Sequence, residues 1–580
     1  MGLKVLFNQR KMPKNYFEET YNIASEPSLA ACFFMLCKKR PDEKIVYWKD
    51  QEGNFSNSLS NYEVLKFSYL ISQILKSNNP KVGIISSNNP YLYPVELAVF
   101  LKKGVSISIY ETDSLETVSS KLKLSQADTL VCDEKSFSKI KDMDFKSNSK
   151  IKQILLLEKC NVPEKFEDKN EIIIEEVWPS KLNINKPLEE EKIREMISTI
   201  KKDDIVKLIF TSGTTGTPKL IPLSHHNFLT TLRGWIKLMN WSKIHRLPSF
   251  LPNAHVFQSA AVYLGFLGIF QHYITSKVDL GLDLKKIKPN ILIAVPLVYD
   301  TFKGKIIDKL KGLPFLKNFN FYQPPKNNKI LNFLARYIFG RLIVFKLGLE
   351  KCQWFICGGA PLHNNTFDFF DNVLGVKIRQ GYGMTETAAG ISANGGDVKK
   401  GSAGIVLEGV QVKIGSDGLL YVKGETVSQF GYNFEEKIIK DDGYFCTGDY
   451  AELDEENFIY LKGRSGNRVK MANGKYYNIE QVSEDICSKF SEFHFVVPVI
   501  ESRNKGILVV TLNDHLDKLG PNETNNILES LAEIKKLPQF EKIVVYEEFT
   551  VENNFLTPTQ KIKFKEVINH YLKTNEKLTK

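Results

Sequence analysis

A nonapeptide rich in serine, threonine and glycine, Thr211 to Lys219, constrains this chain more than any other segment. It directly follows the apolar run Val206 to Phe210, which predicts a short buried strand. Its two glycines let backbone N–H groups approach an anion, and its hydroxyls and lysine supply further donors. The spacing of a Walker A loop is missing. A flexible linker would not need to follow a buried strand, so we predict a phosphate-binding loop made of Thr211, Ser212, Gly213, Thr214, Thr215, Gly216, Thr217, Pro218 and Lys219.

The segments around this loop predict an α/β architecture. Between residues 81 and 160, short apolar runs alternate with helix-like segments, as they do in parallel βα units. From Gly404 to Tyr460, strands alternate with Gly/Asp turns, which predicts an antiparallel layer or a distorted antiparallel barrel. A chain of 580 residues is too long for one compact core. We therefore expect a large N-terminal domain of residues 1–464 and a small α+β C-terminal lid domain of residues 465–580, joined at Ser465 and Gly466.

The amino-acid composition excludes fewer classes of function than the motifs do. A formal net charge of +11 favours anionic substrates, anionic lipid or nucleic acid without choosing among them. The eight cysteines form no C-x-x-C pair, which predicts free thiols in a reducing compartment and no zinc site. The longest apolar stretch, Val256 to Phe270, is shorter than the ~20 residues of a membrane span. The N-terminus lacks a signal-peptide core. We expect a cytoplasmic protein.

Further motifs follow the loop in a fixed order. Gly358 to Leu362 follows the predicted strand Trp354 to Cys357. The others are Gln380 to Thr387, Tyr444 to Asp449, Gly463-Arg464, and Leu556 to Lys561. With the loop, they resemble the adenylate-forming superfamily, which includes acyl-CoA synthetases, peptide-synthetase adenylation domains and firefly luciferase. The matching motifs cover most of the chain.

The resemblance implies a site for ATP and Mg²⁺. It implies that Tyr382 stacks near adenine, that Thr385 touches the α-phosphate, and that Glu386 binds Mg²⁺, a hard cation that prefers oxygen ligands. Asp449 would accept hydrogen bonds from both ribose hydroxyls, and Arg464 would assist at the ribose or phosphate. Beyond the phosphate loop, the implied nucleotide contacts are Gly359, Ala360, Pro361, Gln380, Gly381, Tyr382, Gly383, Met384, Thr385, Asp449 and Arg464.

The C-terminal part resembles the mobile domain of the same family. Lys561 stands where the family carries its adenylation lysine, which stabilises negative charge in the transition state. Gly474 would lie against the pantetheine arm of CoA in the thioesterification hairpin. Ser465 and Gly466 occupy the hinge, where family members have Asp or Lys in place of Gly466. Phe564 replaces a basic residue common in the family, so no role is transferred to that position.

Three features favour a long-chain fatty acid as the substrate. Ser106 to Ser114 and Leu251 to Gln258 resemble segments of the long-chain branch, and in the second of these His255 would lie near the reacting carboxylate or would serve a structural role. The third is the long stretch between Val295 and Gly348. Its residues 328–347 predict a basic amphipathic helix that can lie on an anionic membrane or pack on the core.

The predicted reaction joins a fatty acid to CoA through an acyl-adenylate, with ATP and CoA as co-substrates and no nucleic-acid partner. An acyl carrier protein as acceptor, or an enzyme that stops at acyl-AMP, remains an alternative. A luciferase-type oxidoreductase would share only the adenylation motifs. A non-catalytic lipid-binding or scaffold protein would not need Lys219, Glu386, Asp449, Arg464 and Lys561 together.

Overall fold

The computed structural model describes residues 15–145, 150–166, 172–212, 218–241, 243–311, 340–435, 437–470, 476–490, 493–500, 505–512, 519–533, 539–546, 548–550, 553–557 and 561–576. The middle of the predicted phosphate loop (Gly213, Thr214, Thr215, Gly216 and Thr217), the predicted CoA residue Gly474, and residues 328–339 of the predicted amphipathic helix lie outside the described residues. None of the described helices combines the length and hydrophobicity needed to cross a bilayer.

The helices in chain order are α1 (Asn15–Ile23), α2 (Leu29–Lys39), α3 (Asn61–Ile74), α4 (Leu92–Leu101), α5 (Leu115–Ser125), α6 (Glu134–Ile140), α7 (Glu190–Ser198), α8 (His225–Met239), α9 (Val256–Phe266), α10 (Leu280–Ile287), α11 (Pro296–Lys311), α12 (Gly340–Lys346), α13 (Asn364–Phe369), α14 (Ile479–Lys489), α15 (Pro521–Ala532) and α16 (Phe564–Glu576). The strands are β1 (Lys44–Trp48), β2 (Asn57–Ser60), β3 (Lys81–Ile85), β4 (Val105–Ile109), β5 (Thr129–Cys132), β6 (Gln153–Leu156), β7 (Ile173–Glu176), β8 (Ile205–Ser212), β9 (Pro218–Ser224), β10 (His245–Ser249), β11 (Phe270–Ile274), β12 (Ile291–Ala294), β13 (Trp354–Cys357), β14 (Ile378–Tyr382), β15 (Ser392–Ala393), β16 (Ile405–Val406), β17 (Val410–Ile414), β18 (Leu419–Gly424), β19 (Phe445–Leu453), β20 (Ile459–Arg464), β21 (Arg468–Lys470), β22 (Tyr476–Asn478), β23 (Phe493–Ile500), β24 (Lys505–Leu512) and β25 (Gln539–Tyr546).

A largely parallel sheet carries the strands that flank the phosphate loop. Its order is β7-β6-β5-β3-β4-β8-β9, and β8 and β9 pair antiparallel at its edge. The central strands are apolar and buried along nearly their whole length, as parallel strands with two covered faces must be. Gly83 is needed in β3 because a Cβ there would press on the side chains of Leu122 and Leu130. The predicted parallel βα units are confirmed.

A second sheet places two of the sequence motifs side by side. Its order is β12-β13-β14-β15-β16, with the first three strands parallel. The carboxyl ends of β13 and β14 therefore adjoin, and the motifs beginning at Gly358 and Gln380 meet at one edge. A third sheet, in the order β10-β11-β1-β2, supplies the segment after β10 that contains His255.

The predicted antiparallel layer is present as the sheet β17-β18-β19-β20. In its register Asp449 of β19 lies opposite Arg464 of β20, so strand pairing alone brings these two side chains together. Beyond the turn Ser465–Asn467, the strands β23, β24 and β25 form another sheet. That sheet has apolar cores of its own, built around Val496, Leu508 and Val510 on one side and Val497 and Val509 on the other.

A buried ion pair joins the largely parallel sheet, through β8, to the helix α4. The ammonium of Lys207 in β8 contacts the carboxylate of Glu96 in α4, and the Ser106 hydroxyl donates a 2.8 Å hydrogen bond to the same carboxylate. The Lys207 and Glu96 side chains are only 3% and 9% exposed. Because Lys207 lies just before Thr211, this pair fixes the strand that leads into the phosphate loop.

We expect Lys207→Met to lower the free energy of unfolding by about 3 kcal/mol, because it leaves the Glu96 carboxylate buried without its cation. Lys413→Met breaks an exposed pair with Asp442 and should cost less than about 1 kcal/mol. Urea denaturation followed by circular dichroism measures both. The double variant Glu96→Gln/Lys207→Met should recover much of the loss. Equal losses for Lys207→Met and Lys413→Met would contradict this account.

Candidate active site

The described flanks of the phosphate loop are fixed at the tip of a hairpin. Thr211 lies opposite Lys219 and Ser212 opposite Pro218 in the β8–β9 pair. At the other end of β9, the Ser224 side chain caps α8 by accepting a hydrogen bond from the N–H of Asn227. The two strands that flank the predicted loop are therefore paired with each other, and the second runs directly into a capped helix.

Lys219 and Glu386 are linked by Tyr432, a residue that we did not predict. The Lys219 ammonium lies 4.2 Å from the centroid of the Tyr432 ring, and the Tyr432 hydroxyl donates a 3.0 Å hydrogen bond to Glu386 Oε1. Glu386 is 6% exposed, and burial raises the pKa of its carboxyl group. A tyrosine between a glycine and an asparagine in a turn gives no sequence signal for this contact.

The position of Tyr432 is set by its neighbour Asn433. Asn433 has φ +55°, a left-handed conformation that asparagine tolerates better than most residues. Its backbone N–H donates to the Leu220 carbonyl at 3.0 Å, and its side-chain oxygen accepts from the Leu220 N–H at 2.9 Å. Tyr432 is thus tied to the start of β9, next to Lys219.

Glu386 lies in a 3₁₀ turn, Thr385–Thr387, directly after Met384. The Met384 N–H donates to the Thr387 hydroxyl at 3.0 Å, and the Glu386 carbonyl accepts from Ser428 N–H at 2.8 Å. Gly383 must be glycine because an added Cβ would lie 2.2 Å from the Ala389 carbonyl oxygen. Thr385 and Glu386 therefore belong to a turn whose backbone is closely packed.

The glycine turn after β13 is held against β14. Gly359 has φ +88°, a region that favours glycine. The Leu362 N–H donates to Gln380 Oε1 at 3.0 Å, so this largely buried glutamine braces the turn that contains Ala360 and Pro361. Gln380 was predicted as a nucleotide contact, and its observed hydrogen bond gives it a supporting role. Gly381, the next residue, lies beside Gly358.

Asp449 joins two other predicted residues. The Tyr382 hydroxyl donates to Asp449 Oδ2 at 2.5 Å, and Arg464 Nε donates to Asp449 Oδ1 at 3.0 Å. The Asp449 charge raises the pKa of Arg464, and burial together with Asp449 raises that of Tyr382. Each carboxylate oxygen has two acceptor sites, so Asp449 keeps capacity to accept hydrogen bonds from a diol.

Lys561, from the C-terminal segment, is influenced by the charges of this group. Its backbone N–H donates to the Thr557 hydroxyl at 3.0 Å, and its carbonyl accepts from the Thr557 N–H at 2.8 Å. Burial and the charge of Arg464 lower the pKa of Lys561 to about 8, while Asp449 and Glu480 oppose this shift. The ammonium therefore lies within electrostatic range of the Asp449–Arg464 pair.

His255 occupies the start of α9. Its Nδ1 accepts a 3.2 Å hydrogen bond from the Phe257 N–H and caps the helix. Burial, and then the nearby charge of Lys561, lower the pKa of His255 to about 3, so the imidazole is neutral at physiological pH. The structural role that the sequence left open is therefore seen as a helix cap, and a place near the reacting carboxylate stays a prediction.

An apolar cavity begins beside His255 and the glycine turns. Aromatic and aliphatic side chains from α8, α9, β12 and β13 form most of its wall. The Phe257 ring lies 3.0 Å from the position that a Cβ on Gly358 would occupy, so a larger residue there would obstruct the wall. The lining residues are Trp235, Met239, Trp241, His255, Val256, Phe257, Leu264, Ile293, Ile356, Gly358, Gly359, Gly381, Tyr382, Gly383, Ala389 and Ala393.

The predicted hinge is an exposed 3₁₀ turn, Ser465–Asn467. Glu480 braces it by accepting from the Arg464 N–H at 3.1 Å and from the Asn467 side chain at 2.7 Å. Gly466 does not have a positive φ, so this orientation does not itself require glycine. The hairpin strands β21 and β22, which flank the segment containing Gly474, pair as predicted.

Comparisons with known proteins identify the family. Residues 34–429 match the family model described as "AMP-binding enzyme". The peroxisomal Acyl-CoA ligase 891 of Penicillium brevicompactum is 26% identical, over 84% of this chain and 79% of the relative. Long-chain-fatty-acid–CoA ligase 1 of Saccharomyces cerevisiae is 27% identical, over 63% of this chain and 61% of its own length.

A solved structure shares the fold. The A domain of carboxylic acid reductase from Segniliparus rugosus, in complex with AMP and a co-purified carboxylic acid, superposes with a TM-score of 0.75. The identity is 15%, and the match covers 97% of this chain and 96% of that one. The predicted α/β fold class is confirmed. Because the family model spans more than half of the sequence, the chain belongs to the AMP-binding enzymes, the adenylate-forming superfamily that its motifs resemble.

Proposed function

We propose that the protein is an ATP-dependent long-chain fatty acid–CoA ligase, which converts fatty acid, ATP and CoA into acyl-CoA, AMP and pyrophosphate. One observation carries the proposal. Asp449 accepts hydrogen bonds from Tyr382 and Arg464. Tyr382 and His255 both line the apolar cavity, so the site of these contacts adjoins the cavity. This arrangement suits a reaction between a nucleotide and a carboxylic acid with an apolar tail.

In the first half-reaction the acid's carboxylate attacks the α-phosphorus of ATP, the bond to the bridging oxygen breaks, and pyrophosphate leaves. The loop from Thr211 to Lys219 and the Lys561 ammonium stabilise the charge that develops on the phosphoryl oxygens. Glu386 fits as the Mg²⁺ ligand because it is a buried carboxylate whose raised pKa reflects the absence of water around its charge. Bound Mg²⁺ would neutralise charge on the pyrophosphate leaving group.

In the second half-reaction the CoA thiolate attacks the acyl carbonyl carbon and AMP leaves with the carboxyl oxygen. We propose that residues 465–580 rotate about Ser465 and Gly466 as a domain, which withdraws Lys561 and brings Gly474 to the CoA arm. The exposed turn and the separate apolar cores beyond it support this motion.

The acyl chain would occupy the cavity beside His255. Support comes from its largely apolar wall and from the long-chain ligases among the relatives. The neutral His255 imidazole can donate or accept a hydrogen bond near the carboxylate without adding charge. An acyl carrier protein would be the acceptor if CoA failed to yield a thioester.

We expect ATP–pyrophosphate exchange to be faster with palmitate or oleate than with acetate or butyrate, because each buried CH₂ adds ~0.8 kcal/mol of binding energy. The screen uses the purified protein with acids from acetate to oleate, followed by thioester assays with CoA and with acyl carrier protein. Preference for short acids would overturn the chain-length proposal alone. Failure to exchange with any acid would overturn the ligase proposal.

Lys561→Ala should reduce acyl-AMP formation by at least about a hundredfold, because it removes a charge aimed at the transition state. Thioester formation from supplied acyl-AMP should remain largely intact, since Lys561 is withdrawn in that step. Rapid-quench assays of each half-reaction measure the two rates. Lys563→Ala, which removes a half-buried lysine two residues away that contacts Asn554, is the matched control. Equal loss of both half-reactions would contradict domain rotation.

Tyr432→Phe should weaken use of Mg·ATP, because Glu386 loses its 3.0 Å hydrogen bond while the ring over Lys219 remains. A loss of one charge-assisted hydrogen bond predicts about a tenfold rise in the Mg²⁺ concentration needed for half-maximal exchange. Tyr62→Phe, at the exposed start of α3, provides the control. An unchanged Mg²⁺ dependence in Tyr432→Phe would refute the positioning role of Tyr432.

A further inference from the structure

Three buried polar atoms without hydrogen-bond partners lie beside the apolar cavity. They belong to Trp241, which lines the cavity, and to His245, and each residue is 2% exposed. Within the described part of the chain, neither the indole Nε1 of Trp241 nor either ring nitrogen of His245 forms a hydrogen bond. The two ring centroids are 6.3 Å apart. Buried polar atoms are hydrogen-bonded almost everywhere in native proteins, so three together indicate a site for a hydrogen-bonding group.

Both residues lie near the amino ends of strands. His245 is the first residue of β10, and Trp354 is the first residue of β13. Asn290, directly before β12, joins these two ends, because its N–H donates to the Arg246 carbonyl at 3.1 Å and its carbonyl accepts from the Trp354 N–H at 3.3 Å. The Trp241 ring meets the Trp354 ring edge-on, with centroids 6.2 Å apart. Trp241 and His245 therefore lie beside the start of β13.

The reacting end of the cavity adjoins the opposite end of β13. Gly358 follows the carboxyl end of this strand, and Gly358 and His255 both line the cavity. Trp354 and Gly358 are four residues apart, which is ~13 Å along a strand. Ile356 lines the cavity between them. An acid whose carboxylate lies beside His255 would therefore extend its tail toward Trp241.

The two side chains offer complementary hydrogen-bonding groups. The indole N–H of Trp241 can only donate. Burial, and then the charge of Lys243, lower the pKa of His245 to about 3, so its imidazole is neutral at physiological pH. A neutral imidazole has one nitrogen that donates and one that accepts. A hydroxyl group can accept from Trp241 and donate to His245, whereas the methyl end of an ordinary fatty acid can do neither.

We propose that the distal end of the cavity binds a hydroxyl group, and that the preferred substrates are fatty acids that carry a hydroxyl at the end of the chain. The inference rests on the proposed function, since it concerns the tail of the acid that the ligase activates. The hydroxyl would accept a hydrogen bond from Trp241 Nε1 and donate one to the unprotonated nitrogen of His245. A water molecule held between the same two side chains is the competing occupant.

ATP–pyrophosphate exchange with matched pairs of acids tests this specificity. Each unsubstituted acid from octanoate to palmitate is compared with the ω-hydroxy acid of the same length. At the length that brings the tail to Trp241, kcat/KM should favour the hydroxy acid by about tenfold, because its hydroxyl pairs with groups that a methyl leaves unpaired. At shorter lengths the hydroxy acid should be the poorer substrate, because its hydroxyl would lie against the apolar wall without a partner. A hydroxy acid that is never the better substrate would overturn the proposal and would assign the three atoms to water.

Trp241→Phe and His245→Phe each remove one hydrogen-bonding partner and keep an aromatic ring. Each should lower the preference for the hydroxy acid by about fivefold or more. Since the preference is a ratio of two acids measured on one protein, a general loss of activity cancels. Trp178→Phe, which alters a half-buried indole packed on a different apolar cluster, is the matched control and should keep the preference. A preference that survives in both Trp241→Phe and His245→Phe would refute the assigned site.

A direct binding measurement separates this inference from the proposed function. Exchange with neither series of acids would overturn the ligase proposal alone. Calorimetric titration of the full chain with the same pairs of acids, without ATP, then measures the preference for the hydroxyl. Tighter binding of the ω-hydroxy acid at one length supports the site, and equal or weaker binding at every length contradicts it.

Discussion

The carboxylate of Asp449 is the contact on which the rest of the site depends. It receives hydrogen bonds from Tyr382, at the end of a parallel sheet, and from Arg464, on an antiparallel strand. Its negative charge also acts to raise the pKa of Lys561, a residue of the C-terminal segment, against the effects of burial and of Arg464. A buried negative charge needs such compensation to be tolerated. Two structurally separate parts of the chain thus hydrogen-bond to one anion, whose charge also influences Lys561 from a third part.

Much of the fold and of the site could be predicted from the sequence, because the signals are local. Hydrophobic periodicity within short segments predicts the alternation of strands and helices and the antiparallel layer. Turn-forming residues within a few positions predict the glycine turns. The resemblance implies that Asp449 and Arg464 both serve the nucleotide, whereas the strand register that pairs them is seen only in the structure. The order of the motifs along the sequence then indicates that these elements belong to one adenylate-forming fold.

What could not be predicted depends on contacts between distant segments. Tyr432 bridges Lys219 and Glu386 only because Asn433 is hydrogen-bonded to Leu220, more than two hundred positions earlier. The pair formed by Glu96 and Lys207 likewise joins a helix to a strand far along the chain. Gln380 belongs to a nucleotide motif, yet its side chain braces a neighbouring turn. Such roles depend on tertiary packing, which a single sequence does not encode in any short pattern.

The depressed pKa of Lys561, about 8, has a consequence for how the nucleotide binds. A lysine with this pKa is partly uncharged in slightly alkaline solution. Arrival of a polyanion beside it would raise its affinity for a proton, since an opposite charge stabilises the ammonium form. Nucleotide capture would thus be accompanied by proton uptake from the buffer. In slightly alkaline solution, the charged fraction of Lys561 would therefore rise when the nucleotide binds.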